Sequence, residues 1–440
     1  MTKLPTVALI GRTNAGKSSL FNRIYGSQEA IVAREAGTTR DSVVRTVSAG
    51  GRDFWLVDTA GMKIAEDDFE ATIQEQIEDA TELADVIVVV VDSTEFPSDE
   101  ERRVAKIALK SQKPVILAVN KSDLKGSLEQ SEFRRLGIKT IVSTSAEHNR
   151  GVGELVKTIV ADLPEHAEKA EKDDDRLKIA LIGRPNVGKS SLFNSLAGKQ
   201  QAIVASVVGT TRDVNRTDVR FKGQTIELLD TAGVRKPGKR EQGIEKFSVL
   251  RTLNAIEESD ICLLLMDVNE LNTALDQKLA GMIKDAGKGL IIVVTKWDEA
   301  ENRDAFTRDI LAPRIARQFD FVPWAPLIFT SAVTGQNVTK IFGLAMEIIE
   351  RREQKTTTRK LNDMLQTAVA KHPPAGLKNT HPKLRYIVQT DTMPPWFVIY
   401  GSNLKLIHWS YERYLERTLR ETYDYTGTPI KFSFRQEEKN

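Results

Sequence analysis

Two stretches of this chain have the residue types and spacing needed to grip phosphate, GRTNAGKSS (Gly11–Ser19) and GRPNVGKSS (Gly183–Ser191). Each places Gly-x-x-x-x-Gly-Lys-Ser after an apolar run and before a helix-like stretch, the setting a phosphate-binding loop requires. Gly11, Gly16, Gly183 and Gly188 let backbone N–H groups curl round phosphate oxygens, with Asn14, Ala15, Asn186 and Val187 between them; Ser19 and Ser191 extend the lining into the helix N-terminus, whose dipole favours an anion. Lys17 and Lys189 would neutralise the β- and γ-phosphates, and Ser18 and Ser190 would ligate Mg²⁺.

Further motifs follow each loop, and two of them, GTTRD and DTAG, stand at the same distance in both copies. Asp58-Thr-Ala-Gly61 and Asp230-Thr-Ala-Gly233 each end an apolar run. The Asp there reaches the metal shell, and the Gly can turn its N–H onto a γ-phosphate, so the segment senses hydrolysis. Between loop and DTAG lies GTTRD, at Gly37–Asp41 and Gly209–Asp213. A threonine here, Thr39 and Thr211 or in their place Thr38 and Thr210, would close over Mg²⁺ when γ-phosphate is present. Base choice is carried by Asn120-Lys121-Ser-Asp123, because a carboxylate accepts two hydrogen bonds from N1–H and the exocyclic amine of guanine, a donor pair adenine lacks. The second copy reads Thr295-Lys296-Trp-Asp298. It keeps the discriminating carboxylate, while Thr295 lacks the amide's two-armed fork, so guanine specificity with altered affinity is expected. Ser145-Ala146 and Ser331-Ala332 follow the last strand of each copy, where a backbone N–H could meet the guanine carbonyl. Together these motifs predict two sites for Mg-GTP and its product GDP.

The elements that must hold these residues are duplicated with them. Ala8–Gly61 recurs as Ala180–Gly233 at a constant offset of 172 residues, a period of whole domains. Short apolar runs alternate with amphipathic stretches, and Val86–Val91, Val115–Val119, Ile261–Met266 and Leu290–Val294 have the length and β-branched content of buried central strands. The fold class expected is α/β: two P-loop G domains in tandem, each a mostly parallel sheet with helices on both faces. Residues 1–164 and 177–353 are assigned to these domains and 165–176, rich in Glu, Lys and Asp, to a polar linker; 354–440 form a third, unrelated domain with apolar segments at Leu384–Gln389 and Trp396–Tyr400.

Bulk properties narrow the setting. Of 440 residues, 40% are hydrophobic and 28% charged, without a run long enough to span a bilayer and without a secretory leader or lipidation motif at the ends. One cysteine, Cys262, cannot form an intramolecular disulfide, which fits a reducing cytoplasm. The net charge of +2 hides an asymmetry: residues 351–440 carry 16 Lys+Arg against 9 Asp+Glu, leaving 47 against 52 before them. A basic tail module on an acidic body suggests an anionic partner, with RNA the natural candidate; neither DNA nor a membrane is expected.

The tandem motifs, with Ser410–Leu415 as closing helix and Gly427–Ile430 as closing strand, resemble the Der family, also called EngA, over essentially the whole chain. That resemblance implies two Era-like G domains and a C-terminal α+β KH-like domain, GTP hydrolysis, and a role in maturation of the large ribosomal subunit through contacts with ribosomal RNA, as a monomer off the ribosome. It departs at Thr13 and Ala15, where the family usually has Pro and Val, and at Thr295 in place of Asn; no GxxG loop of the kind that clamps RNA backbone stands in the C-terminal piece. Met62 and Val234 occupy the position where Ras-type enzymes orient water with a glutamine. The resemblance implies a substitute: Asn14 and Asn186 match the asparagine that helps bind an activating K⁺, so the catalytic set expected is Lys17, Asn14 and Gly61 with Lys189, Asn186 and Gly233. The basic run Val234–Arg240 is expected to be a nucleotide-gated contact to RNA phosphate or to the C-terminal domain.

Overall fold

The computed structural model describes residues 4–26, 44–58, 81, 84–164, 176–198, 215–230, 249–271, 273–300, 305–377 and 380–436. The GTTRD segments with Thr38, Thr39, Thr210 and Thr211, the DTAG glycines Gly61 and Gly233, Met62, the run Val234–Arg240 and all of the polar linker but Arg176 lie outside the described residues. Two compact units result, one carrying the first sheet and the other the second sheet together with the C-terminal domain.

The first sheet is built from β1 (Thr6–Ile10), β2 (Val44–Ala49), β3 (Arg52–Asp58), β4 (Val86–Asp92), β5 (Val115–Asn120) and β6 (Thr140–Ser143), in the order β2-β3-β1-β4-β5-β6. β2 is antiparallel to β3 and the other pairings are parallel. All seven residues of β4 are buried, as a strand covered on both faces by crossover helices must be. Alternate strand residues face opposite ways. Val7, Leu9, Val88 and Val90 pack with Leu20, Phe21 and Ile24 of α1 (Lys17–Tyr25) and with Leu155 and Ile159 of a later helix, Val152–Asp162. A helix between β4 and β5, α2 (Asp99–Lys110), starts with a capping box in which Ser98 and Glu101 satisfy each other's backbone N–H.

The second sheet repeats the plan with β7 (Leu177–Gly183), β8 (Asn215–Phe221), β9 (Gln224–Asp230), β10 (Ile261–Asp267), β11 (Gly289–Thr295) and β12 (Leu327–Phe329), in the order β12-β11-β10-β7-β9-β8. α3 (Lys189–Gly198) follows β7 as α1 follows β1, α4 (Ala274–Asp285) has its own capping box from Thr273 and Asp276, and α5 (Lys340–Glu353) closes this part. The four expected central strands are β4, β5, β10 and β11.

The C-terminal part has α6 (Thr358–Lys371), β13 (Lys383–Thr392), β14 (Pro395–Ser402), α7 (Trp409–Thr422) and β15 (Lys431–Gln436). The sheet order is β13-β14-β15, with β13 antiparallel and β15 parallel to β14. Leu361 and Leu365 of α6 and Leu415 and Leu419 of α7 cover one face, where Ile387, Phe397 and Ile399 point. One expectation is corrected here: the closing strand is Lys431–Gln436, and Gly427–Ile430 is the loop before it. The reason is local: Gly427 has φ +80°, and Pro429 has no N–H for a ladder.

That loop docks on the second G domain. The N–H of Gly427 donates to the Trp324 carbonyl (2.7 Å), and the N–H of Leu290, near the start of β11, donates to the Gly427 carbonyl (2.9 Å). Arg352, only 2% exposed, donates to Thr428 Oγ1 (3.2 Å) and to the Gly287 carbonyl (2.9 Å). Burial holds its guanidinium well below its usual range, at about 10. Among the described residues, no helix is long and apolar enough to cross a membrane.

Candidate nucleotide sites

In each G domain those predicted residues that are described converge on the C-terminal ends of the parallel strands, where the strand order reverses beside β1 and β7 and where doubly wound sheets bind ligands. α1 is preceded by Gly16, which has left-handed φ +88°, and has no side-chain cap and no acidic residue in its first turn. Its N-terminal amides therefore keep their dipole for an anion. The Lys17 ammonium, 5% exposed, donates to the carbonyls of Gly11 (2.7 Å) and Arg12 (2.6 Å). Lys189 does the same with Gly183 (3.0 Å) and Arg184 (2.5 Å). Two N–H donors of Lys17 are thereby spent on its own loop, which aims the side chain across the mouth of the loop. Burial lowers the Lys17 pKa, opposed by the charge of Asp58. The negative charge of a phosphate ligand would offset the cost of that desolvation, as Asp58 does.

The two residues predicted to ligate the metal meet in each copy. Ser18 Oγ lies 2.5 Å from Asp58 Oδ2 and Ser190 Oγ 3.4 Å from Asp230 Oδ2. A hydroxyl and a carboxylate side by side are oxygen donors of the kind Mg²⁺ takes, so the residues present fit the ion.

Around the base-reading motif the copies diverge. Asn120, 2% exposed, donates from Nδ2 to the Ala15 carbonyl (3.2 Å) while Oδ1 accepts from the Ala146 N–H (3.2 Å) and from Thr144 Oγ1 (3.3 Å). It ties the phosphate loop to the loop that follows β6. The Ala146 N–H, expected to meet a guanine carbonyl, here points at Asn120. Thr295 has one hydroxyl proton, placed between the carbonyls of Val187 (2.6 Å) and Met266 (3.0 Å). It keeps the tie to the phosphate loop but has no second arm. The space differs accordingly: a Cβ on Gly16 would stand 2.2 Å from Asn120 Nδ2, whereas one on Gly188 would clear Thr295 by 3.9 Å.

Asp123 is oriented by Ser145, whose side-chain hydrogen bond holds the carboxyl below its usual range; His148 Nε2 lies 3.4 Å away. Ser331, at the equivalent place, is fully buried. Ser145 and Ala146 sit against the base motif, and Asn14 and Asn186 are exposed at the loop tips with φ +67° and +64°. Asn tolerates that left-handed conformation better than most residues, which is itself a reason for its presence there.

Several partners escaped the sequence reading. Lys121 and Lys296 adopt left-handed φ of 64° and 55°, unusual for lysine, and each is staked by a carboxylate at 2.6 Å, Asp92 and Asp267. Burial would raise the Asp92 pKa, but bonds from Lys121 and Thr94 hold it low. The signal was available, since both β4 and β10 end an apolar run in Asp. Within each phosphate loop an arginine is anchored: Arg12 to Glu95 (2.5 Å), and Arg184 to Glu270 (2.6 Å) and to the fully buried Asp276 (3.2 Å). Trp297 is buried between Lys296 and Asp298, edge-on to Phe329 at 4.8 Å between ring centroids.

A family model described as 50S ribosome-binding GTPase matches residues 6–121 and 178–296. Another, the C-terminal KH-domain-like part of EngA bacterial GTPase enzymes, matches 355–435. The chain is similar to GTPase Der of Herpetosiphon aurantiacus, 42% identical over 99% of this chain and 97% of that one. It is also similar to GTPase Der of Listeria monocytogenes, 39% identical over 97% of this chain and 98% of the other. Among solved structures, the G domain of the T. maritima FeoB iron transporter is 29% identical, covering 39% of this chain and 98% of its own, with a TM-score of 0.28.

Proposed function

The chain belongs to the Der family of GTPases, and from that premise we propose that it acts as a nucleotide-gated factor in assembly of the large ribosomal subunit, through contacts with ribosomal RNA. It is a GTP hydrolase with an α/β core of two G domains and a KH-like third domain. In the mechanism proposed, loop amides and Lys17 or Lys189 hold the β- and γ-phosphates and stabilise the charge that develops on them. Ser18 with Asp58, and Ser190 with Asp230, would hold Mg²⁺, which when bound supplies further neutralisation of that charge. Asp123 and Asp298 read guanine, and Thr39, Thr211, Gly61 and Gly233 sense the γ-phosphate.

With Met62 and Val234 after DTAG, water is not oriented by the side chain that Ras-type enzymes use, and the reading adopted is K⁺ held by Asn14 and Asn186. Replacing KCl by NaCl at constant ionic strength should lower turnover of the intact chain at least several-fold; equal rates would remove K⁺ from the mechanism.

The observation that carries the gating is β11. Thr295, at its C-terminal end, opens the base-reading motif, and Leu290, near its start, bonds to a loop of the basic C-terminal domain. Nucleotide and C-terminal domain thus engage opposite ends of one buried strand. The test is co-sedimentation of the full chain with ribosomal subunits in GDP or in a non-hydrolysable GTP analogue. Pelleting with the large subunit only in the analogue is expected, and pelleting indifferent to nucleotide or subunit would overturn the proposal.

A further inference from the structure

The sheet face of the C-terminal domain turned away from α6 and α7 has a composition that its own fold does not explain. Strand alternation and the observed register put Tyr386, Tyr400 and Arg435 in one row across the three strands, and Trp396 with Lys431 in another, with Val398 between them. The opposite face holds the core residues Ile387, Phe397 and Ile399. The Tyr386 and Tyr400 rings are stacked, 4.6 Å between centroids and 11° between planes, and Tyr386 is 38% exposed. Trp396 donates its indole N–H to Ser433 Oγ (2.8 Å), which fixes the ring across the sheet, and the Lys431 ammonium stands 5.7 Å from the ring centroid. Lys383 and Arg385 on β13 and Arg435 on β15 are exposed, against one exposed carboxylate on these strands, Asp391, beyond Trp396.

We propose that this face is a stacking platform for single-stranded RNA, with bases laid on the tyrosine pair and Trp396 and phosphates drawn to Arg435 and Lys431. This rests on the ribosomal RNA reading above and assigns it a surface. The occupant follows from charge and ring chemistry: an aromatic surface edged by cations, in a chain segment with a surplus of seven positive charges, complements a polyanion whose monomers carry flat π-faces. A sheet with aromatic rings at alternate positions is a known way to receive splayed bases. It needs no GxxG loop, which this domain lacks. The Trp396 end of the face reaches the second G domain: a Cβ on Gly287 would lie 3.6 Å from Lys431 Cε. An RNA strand on the platform would therefore end beside the turn that leads into β11.

The test is fluorescence anisotropy of the full chain with a labelled 12-nucleotide single-stranded RNA, at two salt concentrations. Tyr386→Ala with Tyr400→Ala should weaken binding at least about 10-fold, while Tyr386→Phe with Tyr400→Phe, which keeps the rings, should bind within about 2-fold of the parent. Arg435→Gln should lower the salt dependence. Unchanged thermal melting and GTP turnover show that the variants are folded. Binding unaffected by the double alanine change, or lost equally in the double phenylalanine change, overturns the platform. Subunit co-sedimentation of the double alanine protein separates the two readings: if it still pellets in the GTP analogue while oligonucleotide binding is lost, the platform stands and the ribosomal contact lies elsewhere.

Discussion

Exchanging Asn120 and Thr295 should exchange the nucleotide affinities of the two sites. Asn120 makes three buried hydrogen bonds, at 3.2, 3.3 and 3.2 Å, and through them joins the phosphate loop to the Ser145-Ala146 loop. Thr295 makes only the first kind, at 2.6 Å. Asn120→Thr keeps a donor for the Ala15 carbonyl but loses the hydrogen bonds by which Oδ1 holds the Thr144–Ala146 loop beside the base motif. Losing such a bond costs about 0.5–1.5 kcal/mol. Felt as misplacement of that loop in the bound state, it should lower GDP affinity at the first site about 2-fold to 12-fold. Thr295→Asn should tighten the second site by a smaller factor, since the 3.9 Å clearance at Gly188 leaves room for the amide but the loops there are not shaped around it. The assay is equilibrium titration with a fluorescent GDP analogue, in chains whose other site is disabled by Lys189→Ala or Lys17→Ala. An Asn120→Thr protein with parental melting behaviour and unchanged affinity would refute the bridging argument.

Gly427→Ala forces a Cβ to 2.3 Å from Ile348 Cγ1 at φ +80°, so the C-terminal domain should loosen by about 1–3 kcal/mol, seen as faster amide exchange at Leu290 with little change in the first G domain. Cys262 is buried and its thiol is pushed up to about 12, chiefly by burial. It should resist a thiol reagent at pH 8 until the second G domain opens, and prompt labelling would contradict that burial. Because the folded pKa lies above the unfolded value of 9.0, this thiol's contribution to stability is complete below pH 9 and lost as pH climbs towards 12, a decline that Cys262→Ala should flatten. Asp123→Asn and Asp298→Asn should each shift one site from guanosine to xanthosine nucleotides; a chain in which only the first change affects turnover would mark the second site as a structural nucleotide holder.

Much of the site was legible because phosphate chemistry demands fixed residue types at fixed spacing. GxxxxGKS, the Asp of DTAG and NKSD each name an atom expected to meet a ligand, and the buried runs of β4 and β10 leave no alternative to a central strand. What was missed lies in long-range pairs. That Asp92 stakes Lys121, 29 positions on, or that Glu95 anchors Arg12, depends on which strands lie side by side, which local pattern does not state. Gly427–Ile430, taken for the closing strand from the family resemblance, is instead the loop before it. Its backbone is claimed by Trp324 and Leu290. The Asn-to-Thr exchange was visible in the sequence, but its consequence for the Ala146 amide needed the fold.

The docking of Gly427 and Thr428 on β11 and Arg352 bears on how this chain can be cut. A fragment ending at residue 353 would turn a nearly buried guanidinium, the Leu290 amide and the Trp324 carbonyl out to water, undoing the setting in which β11 is held. Excision at the boundary the motifs suggest would thus yield a second nucleotide site that is a different molecule from the one in the whole chain. Rates measured on it would not be comparable with those of the first domain. The two copies share a plan, and the second is built against the domain that follows it.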